Sequence, residues 1–591
     1  MKKKHIDYTN WSKDELVKEL KRIKETTYGL VWHRDVPQEK IDVLINPDAR
    51  TPEEMFANEV AGKPFPVLKE VKSKQVVSDK NDQTHILIEG DNYHSLAVLN
   101  FTHQEAVDVI YIDPPYNTGN NDFIYTDTFK SGYVDKEDPF RHSKWLSFME
   151  KRLKLAKNLL KDSGILVVSI DDNEVAQIKM LLDDTNFFGE KNFIAILPTI
   201  MNLKGNQDQF GFAGTHEYTI VYAKDISKAK IGHFIVDDDG LEKWEEDEYG
   251  FFKKGANLKA TGVNAPRQKR PNLFFPIFIT KDNQCYVTND NKARNKSDIE
   301  ILPITDGQEM SWRWSKDKIQ KEKHNIIIEN GGKTPTIYKK QRPTIGDLPS
   351  SKPKTIFYKP EYSSGNGTAQ LKSLFGDKVF NNPKPLDLIK DLIRITSPKN
   401  GICLDFMAGS GTTGHAILDL NKEDGGNRKF ILCTNNENNI ATDVCQPRLQ
   451  KVMKGYKNSK GEKIEGLGGN LKYFTAYDFV ESEPSDKNKH KLVNKCTEML
   501  CIKEGIYDLV IETDDYKILK SHDDRYLGII FYEDAIDEYK KAIKKIDAKL
   551  NTYVFSLGDD PHTAQFADVA DKVVLQAIPE IILKVYQEIF K

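Results

Sequence analysis

The stretch Val107 to Gly119, VDVIYIDPPYNTG, constrains this chain more than any other. Val107, Val109, Ile110, Tyr111 and Ile112 make a short, nearly continuous apolar run that ends at Asp113, where two prolines follow. A run of that kind predicts a parallel strand buried on both faces. Open α/β sheets bind ligands at the carboxyl ends of their strands, so Asp113, Pro114, Pro115 and Tyr116 stand where chemistry is expected. Asp113 supplies an acceptor. The prolines stiffen the turn and leave carbonyl oxygens without competing local N–H donors, and Tyr116 offers a flat π surface. The set suits a planar ring carrying an exocyclic NH2. The Asp113 carboxylate and the Pro114 carbonyl can accept both amino protons, which turns the nitrogen lone pair out of the ring plane and makes a poor nucleophile adequate. Stacking on Tyr116 would add roughly 1–3 kcal/mol. Standing alone, Asp-Pro-Pro also reads as a strand followed by a rigid type I or II turn.

From His85 to Lys224 strands and helices alternate as in a βαβ domain. His85 to Glu89 predicts a strand, Ser95 to Phe101 a helix, and Lys144 to Lys161 a longer helix with Trp145, Met149, Leu153, Ala156 and Leu160 on one face. Gly164 to Ile170, Phe193 to Leu197 and Tyr218 to Ala223 bring the strands of this half to five. A second half carries Gly401 to Phe406 and Lys429 to Thr434, two more strands. Between the first of these and a helix from His415 lies Gly409-Ser410-Gly411-Thr412-Thr413-Gly414, the G-x-G-x-x-G spacing in which glycines let a nucleotide-like ligand approach the backbone. His415-Ala416 follows where a P-loop needs Lys and Ser or Thr, which argues against ATP hydrolysis here; NAD stays open on spacing alone.

The two halves are separated by residues 225–370, which are polar and rich in Asn, Lys and Pro. Arg267, Lys269 and Arg270 form one basic cluster and Lys339, Lys340 and Arg342 another, with Trp312-Arg313-Trp314 between them. Arg and Lys suit phosphates and guanine edges, and the tryptophans could stack or wedge. A solvated loop is the alternative for either cluster alone.

The 591 residues are too many for one core. With 39% apolar and 30% charged residues the chain reads as soluble and globular. No apolar run approaches the about 20 residues that span a bilayer, so a cytoplasmic location without membrane contact is expected. The net charge of −3 does not advertise nucleic-acid binding, although local clusters decide that. Six cysteines without a C-x-x-C pair indicate neither disulfides nor a metal. Residues 1–80 are read as an N-terminal arm with a helix over 13–26, capped by Ser12 and Glu15, and packing on the main domain or on a second subunit. Residues 490–591, after a charged linker, are read as a separate α/β unit for docking or dimerisation. One of its helices should carry Ile536, Tyr539, Ile543, Ile546 and Leu550.

DPPYNTGNNDFIYTD resembles the catalytic region of amino-methylating DNA methyltransferases, and within them the modification (Mod) subunits of prokaryotic type III restriction-modification systems. GLVW at Gly29 to Trp32, DFMAGSGTT at Asp405 to Thr413, YSSGNGT at Tyr362 to Thr368 and GLGGNLKYF at Gly466 to Phe474 extend the resemblance. It implies an α/β fold with a seven-stranded, Rossmann-like AdoMet-dependent methyltransferase core. That core is circularly permuted, with the catalytic motif ahead of the cofactor motif, an inserted DNA-recognition domain and a small α/β C-terminal domain. The implied divisions are 1–80, 81–224, 225–370, 371–480 and 490–591. The implied reaction is methyl transfer from S-adenosyl-L-methionine to adenine N6 in duplex DNA by base flipping, with Asp rather than Ser before the Pro pair pointing to adenine. Asp405, Phe406, Ala408, Gly409 and Gly411 would contact the cofactor, and Asp91 would end the strand beside its adenine. Lys384 and Pro385 would cover the methionine end, and Glu437 would accept from the ribose hydroxyls, although it also reads as a surface residue opening a helix. Asn117, Phe123, Arg267, Lys269, Arg270, Trp312 and Arg313 are the candidate DNA contacts, Phe123 as a second stacking ring. The implied partners are double-stranded DNA, a second copy of the chain and a helicase-nuclease restriction subunit. An RNA or protein N-methyltransferase, or a recognition subunit without catalysis, are the alternatives.

Overall fold

The computed structural model describes Ser12 and Lys13, then residues 64–589 apart from 80–81, 121, 127–130, 186, 203, 206–210, 236–243, 331–333, 343–349, 482–485 and 559. The predicted helix over 13–26 and the GLVW segment therefore lie outside the described residues, Ser12 and Lys13 excepted.

In the first half the chain forms β1 (Pro64–Glu70), β2 (Thr84–Glu89), α1 (Asn92–Thr102), β3 (Val107–Ile112), α2 (Arg141–Leu159), β4 (Leu160–Ile170), α3 (Val175–Asp183), β5 (Phe193–Ile200) and β6 (His216–Ala223). After residue 354 come α4 (Ser364–Phe375), α5 (Leu386–Thr396), β7 (Ile402–Asp405), α6 (Thr412–Asp424), β8 (Lys429–Thr434), α7 (Gln446–Lys454) and β9 (Asn470–Glu481). These nine strands make one mixed sheet in the order β1-β9-β2-β8-β7-β3-β4-β6-β5. The seven expected strands are neighbours within it, and β1 and β9 add two more at one edge. The middle of the sheet is parallel, with Cys403 opposite Val109 and Val109 opposite Ile165, whereas β6 runs antiparallel to both β4 and β5. Every residue of β3 is buried, as its continuous apolar run requires.

Two compact units are present: residues up to Ile231 with those from Lys354, and Gly232–Pro353. The second unit has its own core of Leu258, Phe275, Ile277, Ile279, Val287, Trp312, Ile319 and Ile337. Its larger sheet has four strands, Glu245–Asp247, Gly250–Asn257, Thr336–Gln341 and Ile326–Glu329 in that order.

The last hundred residues differ from expectation. They form α8 (Asp486–Lys495), α9 (Thr497–Glu504), a five-stranded sheet of β10 (Asp508–Glu512), β11 (Tyr516–Lys520), β12 (Tyr526–Ile530), β13 (Leu550–Phe555) and β14 (Val573–Ile578), with α10 (Ile536–Ile543) and a final α11 (Glu580–Ile589). They belong to the same compact unit as the main sheet, not to a separate one. The reason is visible in α1, whose residues from Tyr93 to Thr102 are all buried. A helix buried on every side needs two covers. The sheet supplies one, and Met499, Leu500, Ile502, Ile578 and Ile582 join Leu96, Leu99 and Phe101 in a single core to supply the other. The predicted helix through Leu550 is also shorter, because α10 ends at Ile543 and Leu550 begins β13.

Candidate active site

Asp113 to Tyr116 leave β3 at the carboxyl edge of the sheet. Two features fix the turn from behind. The Trp145 indole N–H donates to the Pro115 carbonyl at 2.7 Å, and this ring is fully buried on α2. Asn117 has φ +58°, in the left-handed region that asparagine tolerates, and its buried amide donates to the Arg141 carbonyl and to Glu174 Oε1. With the Pro115 carbonyl claimed by Trp145, the Pro114 carbonyl has no donor among the described residues.

In front of the turn lies a cluster the sequence did not announce. Lys384 Nζ sits 3.3 Å from Asp113 Oδ1 and 2.7 Å from Glu217 Oε2, and donates to the Tyr116 hydroxyl. The Tyr116 hydroxyl in turn donates to Glu217 Oε2 at 3.1 Å. Asp113 Oδ1 is buried and accepts no well-formed hydrogen bond, the Lys384 ammonium being its charged neighbour. Burial raises the Asp113 carboxyl above the usual range, Lys384 opposing and Glu217 adding to the effect. For Lys384 burial works against the charge, but Asp113 and Glu217 outweigh it and hold the ammonium above its ordinary value. Tyr116 is likewise held well above a free phenol, chiefly by burial and then by Asp113. The site thus keeps a cation, a neutral hydroxyl and two acids within one hydrogen-bonded group. Lys384, expected over the cofactor's methionine end, has its side chain in the catalytic turn. Gly367 on α4 makes its approach possible, since a Cβ there would lie 2.1 Å from the Pro383 carbonyl oxygen.

The glycine-rich loop leaves β7, the strand next to β3. Asp405 binds this loop from inside: one oxygen accepts from the Met407 N–H at 2.9 Å, the other from the Thr413 hydroxyl at 2.6 Å. Burial pushes its carboxyl up to about 7, against those two bonds. Asp405 therefore shapes the loop, and the Phe406 ring lies wholly inside the core, so this pair offers a ligand its backbone. Gly409 and Gly411 both have positive φ, +48° and +76°. A Cβ on Gly411 would meet the Cys445 sulfur at 2.9 Å, while one on Gly409 would meet nothing closer than 3.6 Å. Asp91 caps α1 by accepting from the Tyr93 N–H at 2.7 Å and pairs with Arg152 at 3.3 Å. Glu437, just past β8, is exposed, and its carboxylate has no hydrogen-bond or ion-pair partner among the described residues. An open glycine backbone at a helix start and a free acid past the neighbouring strand fit an adenosyl cofactor. Pro385 caps α5 and carries Lys384 into place.

Several predicted substrate contacts are corrected. Trp312 is 2% exposed and its indole N–H donates to the Phe275 carbonyl at 2.7 Å, so it is a core residue of the smaller unit and not a wedge. Phe123, also 2% exposed, packs edge-on against Phe148. Asn117 is wholly buried and positions the turn. Lys340 and Arg342 both bind Asp247, whose carboxyl they and a backbone N–H hold well below the usual range. Arg267 pairs with Glu309 at 2.8 Å, and Arg313 donates to the Asn257 carbonyl and the Thr261 hydroxyl. Lys269 and Arg270 are exposed without such partners among the described residues.

Glu217, Trp145 and Glu174 are the site residues that sequence reasoning passed over. Glu174 is fully buried, and burial pushes its carboxyl up to about 8 against the Asn117 hydrogen bond and the Arg141 charge; Oε2 has no partner. A carboxyl whose folded value lies above its unfolded 4.5 destabilises the fold once it ionises. Stability should therefore fall as pH rises from 4.5 through about 8. Glu174→Gln should abolish that slope and raise the melting temperature above pH 8 by roughly 1 °C per kcal/mol recovered in a chain of 591 residues, as calorimetry across this window would show.

An α/β sheet that carries a glycine-rich loop and an acid-bearing proline turn at the carboxyl ends of adjacent strands defines a nucleotide-binding α/β protein with a reactive centre beside the nucleotide. The family model described as DNA methylase matches residues 107–443, more than half the chain. The chain is 44% identical over 395 residues to the Mod subunit of the type III restriction-modification enzyme EcoPI of Escherichia phage P1, covering 63% of this chain and 61% of that one. It is 33% identical over 390 residues to the type II methyltransferase M.KpnI of Klebsiella pneumoniae, covering 64% and 89% respectively. To the StyLTI Mod subunit of Salmonella typhimurium it is 31% identical over 389 residues, covering 62% and 55%. The match thus spans little more than half the length of the two Mod relatives. The chain belongs to the DNA methylase family.

Proposed function

We propose that this protein transfers a methyl group from S-adenosylmethionine to the N6 nitrogen of adenine in duplex DNA, as the modification subunit of a type III restriction-modification system. The observation that carries the reading is a pair of acceptors in one rigid turn: the buried Asp113 Oδ1, which faces the Lys384 ammonium but accepts no well-formed hydrogen bond, and the Pro114 carbonyl, which has no donor among the described residues. Two such acceptors suit the two protons of an exocyclic amine. The identity to EcoPI Mod favours the type III assignment. We read β2-β8-β7-β3-β4-β6-β5 as the seven-stranded methyltransferase sheet in permuted order, with 232–353 as the target-recognition insertion.

Bound S-adenosylmethionine supplies the activated methyl group, with Gly409 to Gly411, Glu437 and Asp91 as its holders. The chain's own residues do the rest. The paired target amine is out of reach inside a duplex, so the adenine must be flipped at a cost of a few kcal/mol. Stacking on Tyr116 offsets part of that. Asp113 and the Pro114 carbonyl accept the amino protons and orient the lone pair, and the Lys384 charge opposes the upward shift that burial imposes on the Asp113 carboxyl. No covalent intermediate with the protein is needed, and rate comes from alignment and electrostatics. Exposed Lys269 and Arg270 serve DNA phosphates in this reading, while a second copy of the chain and a helicase-nuclease subunit complete the system in the cytoplasm. The test is transfer of labelled methyl to unmethylated bacterial DNA with mass spectrometry of the nucleosides. N6-methyladenine is the expected product; label on RNA or protein alone, or on cytosine, would overturn the reading.

A further inference from the structure

We propose that a cavity at the amino ends of the central strands binds a small organic phosphate, at a site distinct from the methyl-transfer centre. This goes beyond the methyltransferase reading and does not depend on it. The cavity has a volume of about 460 Å³. It forms where Thr84, Ile402, Lys429 and Asn470, the first residues of β2, β7, β8 and β9, meet segments 502–508 and 521–525 of the C-terminal region. Because β2, β7, β8 and β9 are parallel, the catalytic turn and the glycine-rich loop lie at the other end of the sheet.

The wall is basic. Lys429, Lys472, Lys503 and Arg525 line it with His103 and His522, against the acids Glu504 and Asp508. Neither acid forms an ion pair with a wall lysine, although the Glu504 charge acts on Lys503. Glu504 accepts from the Tyr553 hydroxyl at 2.6 Å and the Asn551 amide at 2.7 Å, and Asp508 is exposed at the start of β10. Lys472 is paired with Glu70 at 2.7 Å and Arg525 with Asp523 at 2.9 Å. Lys429 and Lys503 have no carboxylate partner among the described residues.

The neighbourhood feels the imbalance. Lys429, exposed at the start of β8, is held below its ordinary value by desolvation and then by Arg525, with Asp523 opposing, and Lys503 by burial, with Glu504 opposing. Burial first and the Lys429 charge second hold His103 at about 4 and His85 at about 3. Two lysines on one concave wall, neither of them ion-paired to a carboxylate, leave a place that an anion completes. The cavity is large enough for more than one phosphate, and Ile86, Ile431, Ile502 and Tyr507 give the remaining wall an apolar face suited to a ring or carbon chain. A nucleoside diphosphate matches both parts.

The test is isothermal titration of the full chain with ADP and, separately, with pyrophosphate. ADP should bind saturably, and Lys429→Met and Lys503→Met should each weaken that binding roughly tenfold or more. Pyrophosphate should bind at least roughly tenfold more weakly than ADP. Without ligand both variants should melt at or near the wild-type temperature, since each removes a cation that makes no ion pair and keeps the apolar stem. Absence of saturable ADP binding would overturn the proposal. So would ADP binding that both substitutions leave unchanged, or equal binding of pyrophosphate. Variants that melt well below the wild type would show that the two lysines serve the fold, and that result would overturn it as well.

Discussion

Asp113→Ala is expected to lower methyl transfer to DNA by roughly 10²–10³-fold or more, the range seen when one preorganised electrostatic partner is removed from an active site. Binding of S-adenosylmethionine should change little, because the glycine-rich loop is shaped by Asp405 and Thr413 and not by the catalytic turn. The loss would come from orientation. An adenine amine has its lone pair drawn into the ring, and only acceptors on both protons release it. Alanine leaves the Pro114 carbonyl as a single acceptor and also leaves Lys384 facing Glu217 alone. Asp113→Asn separates geometry from charge: its amide oxygen still accepts one proton, so the loss should be smaller. The acidic limb of the pH profile, which in the wild type follows ionisation of a carboxyl raised by burial, should disappear. Single-turnover rates beside direct cofactor titration would show both effects. An alanine variant with full activity would remove Asp113 from the chemistry altogether.

What the sequence made legible was set by period and by proximity along the chain. The seven strands from β2 to β5 in sheet order follow from apolar runs, since a strand buried on both faces has little room for polar residues. β1 escaped because Pro64 and Pro66 argue against a strand, yet proline is tolerated where one side of a strand is unpaired, and β1 is the edge of the sheet. At the site, Asp113 to Tyr116 and Gly409 to Gly414 were readable because each group is local in sequence. Glu217 and Lys384 come from distant segments, and only the topology unites them with Asp113. One signal could have pointed to Glu217: β6 is antiparallel, so its first residues lie at the edge where its parallel neighbours end. A helical Trp145 likewise called for an indole partner once placed against the sheet. Tryptophan in a polar insertion misled in the opposite direction, because Trp312 builds the small core that a unit of this size needs.

Lys384→Met should have the other large effect, and on two observables together. Its side chain is 10% exposed and faces two carboxylate side chains that are each 29% exposed, Asp113 at 3.3 Å and Glu217 at 2.7 Å. Removing one member of a buried ionic group destabilises by roughly 3–5 kcal/mol, because the charges left behind are uncompensated. Here the penalty falls on Asp113 and Glu217; for Asp113, whose carboxyl burial already raises, it should be largest at high pH and shrink as pH falls and that carboxyl takes up a proton. Activity should respond with the same sign. Burial already raises the Asp113 carboxyl, and Lys384 is the largest influence holding it down. Without that cation Asp113 stays protonated to higher pH and cannot accept from the target amine. The acidic limb of the rate profile should therefore move up, with a loss of roughly tenfold for each pH unit of displacement when measured on that limb. A residue that merely covered the cofactor would behave differently. Its loss would raise KM for S-adenosylmethionine and leave the pH profile where it was, so the two roles separate in one set of steady-state measurements.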